Sequence, residues 1–568
     1  MASTFANQIT IEVDGTPLSE ALEMHLEEVV VDDYLHLPDM FTLTFRDPER
    51  TVLGEARVKI GSVVRVSSSE SGGTKPGLLI HGEVTAVEAE YTEGGSRITV
   101  CGYDPSHRLH RGRLSTSYAD MKDSDIAAQV AKRVGLQVGV VDDSGPVEKY
   151  VAQANLTDWE FLSSRAREIG FEISVEEGKL NYRDAKRSTS APPDGDYDSS
   201  DPLQLVFGKE LVEFHPRLTS AGQVKEVVVR GWDPATKQAL VGRAPAAASS
   251  ATLKAKPADL AALFGDPTHV SGDLPLSSQA AVDAGAKALS EQIGSAHAEA
   301  SGVALGHPKL RPGTAVKISV VDEHFEGAYV ITQARHIFNQ AGYRTWFTIS
   351  GRQDRSILGL TTRTGGGQKR DRINGVVVGL VTQNDDRLGR VKLKFPWMSD
   401  SFETDWARVA SLGAGARSGA VWLPQVDDEV LVAFEHGDFR RPYVLGGLWN
   451  GIDKPPLGDG LFDNGSVKRR GFVSRKGHRF VFLDGDGDAG IALLTSNDSL
   501  RIALKESATE IHVASDGTIV IESKGDLKIK GDANVTIEAG TGLTLKGATV
   551  TIKGSGPVDI DGSPIQLN

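Results

Sequence analysis

A chain of 568 residues with 62 basic and 76 acidic side chains carries a formal charge of −14, which argues against nucleic acid as a general partner. Its 62 glycines and 6 % aromatic content fit a strand- and turn-rich protein. The length leaves room for roughly three to five domains. The single cysteine, Cys101, excludes an internal disulfide framework and a multi-cysteine zinc site, and reads as a small core residue on a strand. Met1 to Thr10 show no basic segment followed by an apolar run, and no stretch approaches the ~18 apolar residues of a membrane helix. The expectation is a protein made soluble in the cytosol, outside the ordinary secretory route.

The first hundred or so residues read as strands. Ile9–Val13, Phe41–Phe45, Val63–Val66 and Ile98–Val100 alternate or cluster β-branched residues between Gly, Asp and Pro turns. Two helices follow. The first follows Asp123, with Ile126, Val130 and Val134 on one face and Gly135 placed to end it. The second opens with the capping box Thr157-Asp158-Trp159-Glu160 and stops at Gly170. Residues 185–202 and Pro245 to Pro275 read as long surface loops. Strands resume at Val227–Val229, an alanine-rich helix is predicted from Ser278 to Glu299, and further strands fall at Val316–Ile318 and Thr345–Ile349. Thr361 to Gln368 is the clearest linker. Beyond it, strands at Val376–Val381, Arg390–Phe395, Trp406–Ala410 and Glu429–Phe434 suit a small five-stranded barrel. Gly389 and Gly446-Gly447 would serve its tight turns or bulges, and Trp397, Trp406, Trp422 and Trp449 would fill a small core or a subunit contact.

The C-terminal stretch carries the strongest pattern. Pairs of apolar residues flanking one polar residue recur at Ile511/Val513, Ile519/Ile521, Leu527/Ile529, Val535/Ile537, Leu543/Leu545, Val550/Ile552, Val558/Ile560 and Ile565/Leu567, in steps of eight with two of seven. Gly, Asp, Asn, Ser and Lys lie between, so each unit is a short strand with one buried face and a turn. Laid over three faces, one chain would put fewer than three strands on each, only about 13 Å of prism at ~4.8 Å per strand. Three intertwined chains would stack about eight per face, roughly 38 Å, with the apolar pairs on a shared axis. The pattern therefore favours a trimeric needle over a single-chain helix.

This order of parts resembles the VgrG-type spike proteins of contractile injection systems, a phage late-control hub fused to a baseplate spike. The hub segments GYDPSHRLHR (102–111), MKDSDIAAQVAKRVGL (121–136), DWEFLSSRAREIGFEI (158–173) and GHPKLRPGTAVKI (306–318) are similar to successive family blocks. The barrel segments GVVVGLVTQNDDRLGRVKLKFPW (375–397), WARVAS (406–411) and GAVWLPQVDDEVLVAFEHGDFRRPYVLGGLWN (419–450) resemble the spike's OB-fold. The resemblance implies a mainly β fold: a β-barrel hub with inserted small helices and loops (1–355), a linker (356–372), an OB-fold collar (373–453), a neck (454–475) and an intertwined triple-stranded β-prism or β-helix needle (476–568). It implies a structural homotrimer that punctures a target envelope, touches the membrane only mechanically, and carries a PAAR-type tip protein or effector cargo. Tail-tube or hub-adaptor and baseplate proteins would be its other partners. The fused hub and spike resemble an extracellular phage-tail-like particle more than a type VI spike or a phage baseplate, with assembly in the cytoplasm before release or injection.

The expected trimer core is Ile511, Val513, Ile519, Ile521, Leu527, Ile529, Val535, Ile537, Leu543, Leu545, Val550 and Ile552. Pro564, Ile565, Gln566, Leu567 and Asn568 are the expected seat of the tip protein. No catalytic residue, metal ligand or cofactor is expected. Asp484 to Gly490 imitates a calcium loop, but Ala489 and Thr495 stand where it needs Gly and a bidentate Glu, so an acidic hairpin turn between Arg479–Leu483 and Gly490–Leu494 is the better reading. Asp142 to Pro146 faintly echoes a serine-protease loop without matched partners and reads as a turn. His107 and His110 have metal-compatible spacing, yet Arg108 and Arg111 beside them disfavour a cation. Nothing singles out an acid/base pair among the carboxylates. The alternative of a β-helical tail-associated carbohydrate-degrading enzyme would need acidic residues on long loops, and the repeats have only short turns.

Overall fold

A computed structural model describes residues 8–69, 77–193, 195, 197–198, 200–272, 275–352, 373, 375–399, 401–485 and 487–566. The linker read at 356–372 lies outside the described residues, as do Asp486, Leu567 and Asn568. The chain divides into two compact units, Met1–Asn450 and Gly451–Asn568.

The first unit is organised by an open 11-stranded antiparallel sheet. From one edge it runs Leu211–Leu218, Ala298–Leu305, Gly342–Ile349, Gln333–Asn339, Leu26–Tyr34, Met40–Arg46, Gly95–Tyr103, Gly77–Thr92, Val63–Ser69, Gln8–Val13 and Thr16–Pro17. The join between early and late chain is the pairing of Leu26–Tyr34 with Gln333–Asn339, in which Val31 faces His336 and Val29 faces Phe338. Alternation sets the buried face: Phe41, Leu43 and Phe45 are each at most 1 % exposed, while Thr42 and Thr44 are half-buried. The Phe41 ring needs bare backbone beside it, because a Cβ on Gly102 would lie 2.5 Å from the ring and 2.3 Å from the Glu83 carbonyl. Cys101 sits on Gly95–Tyr103 beside Thr42, on a strand as expected but half-buried and not in the core.

Residues 111–185 are inserted as a helical subdomain. The Asp123–Arg133 helix ends ahead of Gly135, whose φ of 75° is the left-handed turn that glycine adopts without penalty. The Asp158–Ile169 helix opens on the reciprocal Thr157/Glu160 capping box and closes on Gly170. Ile126, Val130, Phe161 and Leu162 bury one core between these helices and the small sheet that holds Leu180 and Tyr182. Two expectations need correction. The alanine-rich helix is Gln279–Gly294, and after a single 3-10 turn the chain is already a sheet strand at Ala298–Leu305. The stretch Pro245 to Pro275 is not all loop, since it holds short strands at Ala251–Thr252 and Thr268–Ser271 around a Pro257–Ala262 helix.

The barrel after the linker orders its strands Lys392–Lys394, Val376–Gln383, Glu429–Phe434, Pro442–Gly447 and Arg408–Val409. Val391 and Ala407 exchange backbone hydrogen bonds of 2.9 and 2.7 Å, which joins the two end strands and closes the ring. The Gly446 region is a bulge: Leu431 faces Gly446 and Val432 faces Val444, leaving Leu445 unpaired. The core is phenylalanine, not tryptophan. Phe395 packs against Phe402, Phe434 and Phe439, while Trp397, Trp422 and Trp449 are 55 %, 60 % and 69 % exposed. Trp406 is half-buried beneath Arg390 and Lys392. The indole N–H explains part of this, since it must find a partner that a fully apolar ring does not need.

The second unit begins with a five-stranded antiparallel meander, Arg469–Val473, Arg479–Leu483, Gly490–Leu494, Leu500–Lys505 and Glu510–Ser515. The acidic hairpin falls between Arg479–Leu483 and Gly490–Leu494, as its flanking strands indicated. Ile511 and Val513, read as the first repeat, lie on the meander's edge strand. Among the described residues after Ser515 there is no hydrogen-bonded strand.

Candidate assembly surfaces

Strand alternation in the meander puts its large apolar side chains on one face. Phe482, Ile491, Leu504 and Ile511 align across successive strands, and Phe480, Leu493, Ile502 and Val513 form a second row beside them. Val481, Ala492, Ala503 and His512 occupy the opposite face. In one chain the first face is largely uncovered: Leu493, Ile502, Leu504 and Val513 are 45–53 % exposed and Ile511 is 75 % exposed. A row of this kind is far more apolar than an ordinary solvated sheet face.

The repeats continue the same chemistry. Ile519, Ile521, Leu527, Ile529, Val535, Ile537, Leu543, Leu545, Val550 and Ile552 are all more than half exposed, as are Val558 and Ile560, and Ile565 is nearly so. Burying a side chain of this size removes about 1.5–3 kcal/mol of unfavourable hydration. One chain leaves that stabilisation unused along the whole tail. Of the expected tip residues, Pro564, Ile565 and Gln566 are described and exposed.

The barrel is fastened to the helical subdomain by buried charge. Arg440 reaches Glu168 with two hydrogen bonds of 3.2 and 3.3 Å and holds Asp438 through Nε at 3.0 Å and Nη2 at 2.8 Å. Glu168 also accepts from Arg165 Nη1 at 2.5 Å, and Arg165 grips Asp123 with Nε and Nη2 at 2.8 Å each. The chain Asp123–Arg165–Glu168–Arg440–Asp438 therefore links both helices to the loop after Glu429–Phe434. Tyr150 donates to the Glu403 carbonyl at 2.8 Å, and Tyr150, Ala152 and Ala154 pack on the barrel core. Nothing in the local pattern singled out these five charges, although all five fall inside the similar blocks.

The remaining singled-out groups are structural. His107 Nε2 lies 2.8 Å from Glu83, which also pairs with Arg108. His110 stacks on Trp159 at 4.9 Å, and burial pushes its pKa down to about 4. Asp143 takes Lys122 Nζ at 2.9 Å in an exposed turn. Among the described residues no group of three or more His, Cys, Asp or Glu is placed to hold a metal ion.

Burial alone would raise the Glu168 carboxyl, but Arg440 and then Arg165 overcome it and hold it below the usual range. Asp438 is lowered in the same way, with burial opposed chiefly by Arg440. A depressed carboxylate contributes stability that is present above its unfolded pKa and is lost as pH falls through the folded one. Glu168→Leu should therefore cost about 1–3 kcal/mol at pH 7, by leaving half-buried Arg440 with Asp438 as its one remaining carboxylate. The loss should shrink steadily below about pH 4, where the wild-type pair dissolves too. Denaturant titrations at pH 7 and pH 3 read both; an equal loss at the two values would refute the ionic account.

A family model described as the type VI secretion system/phage-baseplate injector OB domain matches residues 374–449, the barrel just described. A model for the Alg8 N-terminal domain matches residues 74–340. The type VI secretion system spike protein VgrG2a of Pseudomonas aeruginosa is 40 % identical over 75 residues, 12 % of this chain and 9 % of the relative. VgrG3 of Vibrio cholerae is 36 % identical over 75 residues, 12 % of this chain and 7 % of the relative. These matches thus span about a tenth or less of each relative's length. A chain of the Francisella PdpA-VgrG complex in its half-lidded form shares the fold, with a TM-score of 0.51, 10 % identity, and coverage of 90 % of this chain and 88 % of that one. The barrel sequence resembles that of VgrG spike proteins and matches the baseplate injector family model, and the hub-to-barrel fold is similar to a chain of the PdpA-VgrG complex.

Proposed function

We propose that the chain is the homotrimeric central spike and hub of a phage-tail-like contractile machine, driven mechanically through a target envelope. The observation that carries this reading is the uncovered apolar face running through Leu504, Ile511 and the repeats to Ile565. Two further copies supply a cover of matching chemistry and matching period, which no unrelated partner would do along so long a stretch. An intertwined prism suits the task, because no strand can leave without breaking ladders to two other chains. The hub and barrel would sit against tail-tube, adaptor and baseplate proteins. The favoured setting is an extracellular phage-tail-like particle, assembled in the cytoplasm, with type VI secretion as the second choice.

Replacing Ile521 and Ile537 with Asp should abolish heat- or SDS-resistant trimers, since three carboxylates would meet on a dry axis at a cost of several kcal/mol. Light scattering on the purified chain gives the mass; a double variant that stays trimeric and equally stable would show that these side chains do not face the axis.

The tip protein of this reading is a PAAR-type cone, seated on Pro564, Ile565, Gln566, Leu567 and Asn568, with effector cargo attached to it or to the spike. Deleting residues 563–568 should leave the trimer intact yet remove the cone from assembled particles, as read by mass spectrometry. Retention at normal stoichiometry would place the seat elsewhere.

The reading assigns no chemistry to the chain. Purified protein incubated with peptidoglycan and common polysaccharides should match buffer, and turnover that vanishes on mutating one of its carboxylates would overturn a purely structural role.

A further inference from the structure

Three carboxylates and one guanidinium line a cleft of about 100 Å³ in the first unit. Asp33 ends the Leu26–Tyr34 strand, Asp39 lies in the loop that follows, and Asp104 caps the 3-10 turn Pro105–His110. Asp33 and Asp104 are 1 % and 5 % exposed. Asp104 accepts from the Asp39 N–H at 3.0 Å, from the Ser106 N–H at 3.1 Å and from the Ser106 hydroxyl at 2.5 Å. Asp39 accepts from the Tyr34 N–H at 2.9 Å.

Arg311, from the loop ahead of Ala315–Ser319, offers the cluster little. Its Nη2 and Nη1 are directed to the carbonyls of Leu79 and Leu78 at 2.8 and 3.5 Å, and only Nε reaches a carboxylate, Asp33 Oδ2 at 3.2 Å. Asp33 Oδ1 accepts no hydrogen bond among the described residues. His336 Nε2 is 3.9 Å from Asp33, but burial and then Arg311 push its pKa down to about 3, so it brings no charge. On the neighbouring strand Arg335 pairs with Asp32 at 3.5 Å. Across the cleft Arg183 is held by Glu172 and Glu176 at 3.2 and 2.7 Å, and Lys186 is exposed at the rim. The cluster is therefore short of positive charge, Asp33 Oδ1 is short of a donor, and a proton supplies both.

We propose that Asp33, Asp39 and Asp104 form a proton-held latch that ties the N-terminal strands to the Arg311 loop and loosens as the cluster loses its protons. Burial raises all three carboxyls; at Asp33 Arg311 opposes it and Asp32 adds to it, at Asp39 both Asp33 and Asp104 add to it, and Asp104 rises to about 7 against the hydrogen bonds from Ser106 and Asp39. The unfolded or opened chain has ordinary carboxylates near ~3.9. The closed form thus binds more protons between about pH 4 and pH 7, so closure is strongest below that interval and is weakened as pH rises through it.

Hydrogen exchange on the full chain tests this at the amides of Asp39 and Ser106, whose acceptor is Asp104. After correction for intrinsic rates, their protection should fall about tenfold between pH 6 and pH 8.5. Asp104→Asn keeps an acceptor and adds a donor, and should flatten that profile; Asp39→Asn gives the same comparison at the Ser106 amide if the first variant does not fold. A wild-type profile with no fall, or a variant that folds and keeps the wild-type fall, would overturn the latch.

Discussion

Apolar surface that a chain cannot cover with its own residues governs this molecule. The meander face and the repeat tail present leucines, isoleucines and valines to solvent in a regular period. Elsewhere the same chain encloses side chains of the same kind completely, as at Val31, Leu43 and Val64. The difference is topological. A hub strand finds neighbours within an 11-stranded sheet, whereas an eight-residue repeat returns too soon to meet itself. Under the trimeric reading, its hydrogen bonds and its dry side come from other copies.

The barrel meets the opposite demand. It joins the helical subdomain through Asp123, Arg165, Glu168, Arg440 and Asp438, with a small apolar contact at Tyr150, Ala152 and Ala154. Buried ion pairs of this sort add little net stability compared with a well-packed apolar joint, but they punish misplacement severely. Such a junction fixes the orientation of the barrel on the helical subdomain.

Much of this was legible from the sequence because it is written in local chemistry. The Thr157/Glu160 capping box, Gly170, the strands around Phe41 to Phe45 and the hairpin at Asp484 all follow from residues within a few positions of one another. What stayed hidden depends on distant pairs. Asp33 and Arg311 are 278 residues apart, and Glu168 and Arg440 are 272. Neither pair has a spacing that a reader could recognise. For the tryptophans the sequence left core and subunit contact open; phenylalanines hold the core and three indoles stand outside it, which removes the first of the two for Trp397, Trp422 and Trp449. The end of the Gln279–Gly294 helix was obscured because alanine suits a helix and tolerates a strand, and the following residues obey the sheet.

The meander between barrel and repeats has a kinetic meaning. Its strands pair only with their neighbours in sequence, across short turns, so each copy can complete that sheet alone and quickly. The repeats after Ser515 have no such local solution. Under a trimeric reading, three finished meanders meeting on their apolar faces would align the tails at one end before any repeat pairs. A periodic sequence slipped by one octad would bury nearly the same side chains, so little in the repeats themselves forbids a misaligned needle. The aperiodic sheet ahead of them supplies the missing reference point, as the first tooth of a zip decides how all the others engage.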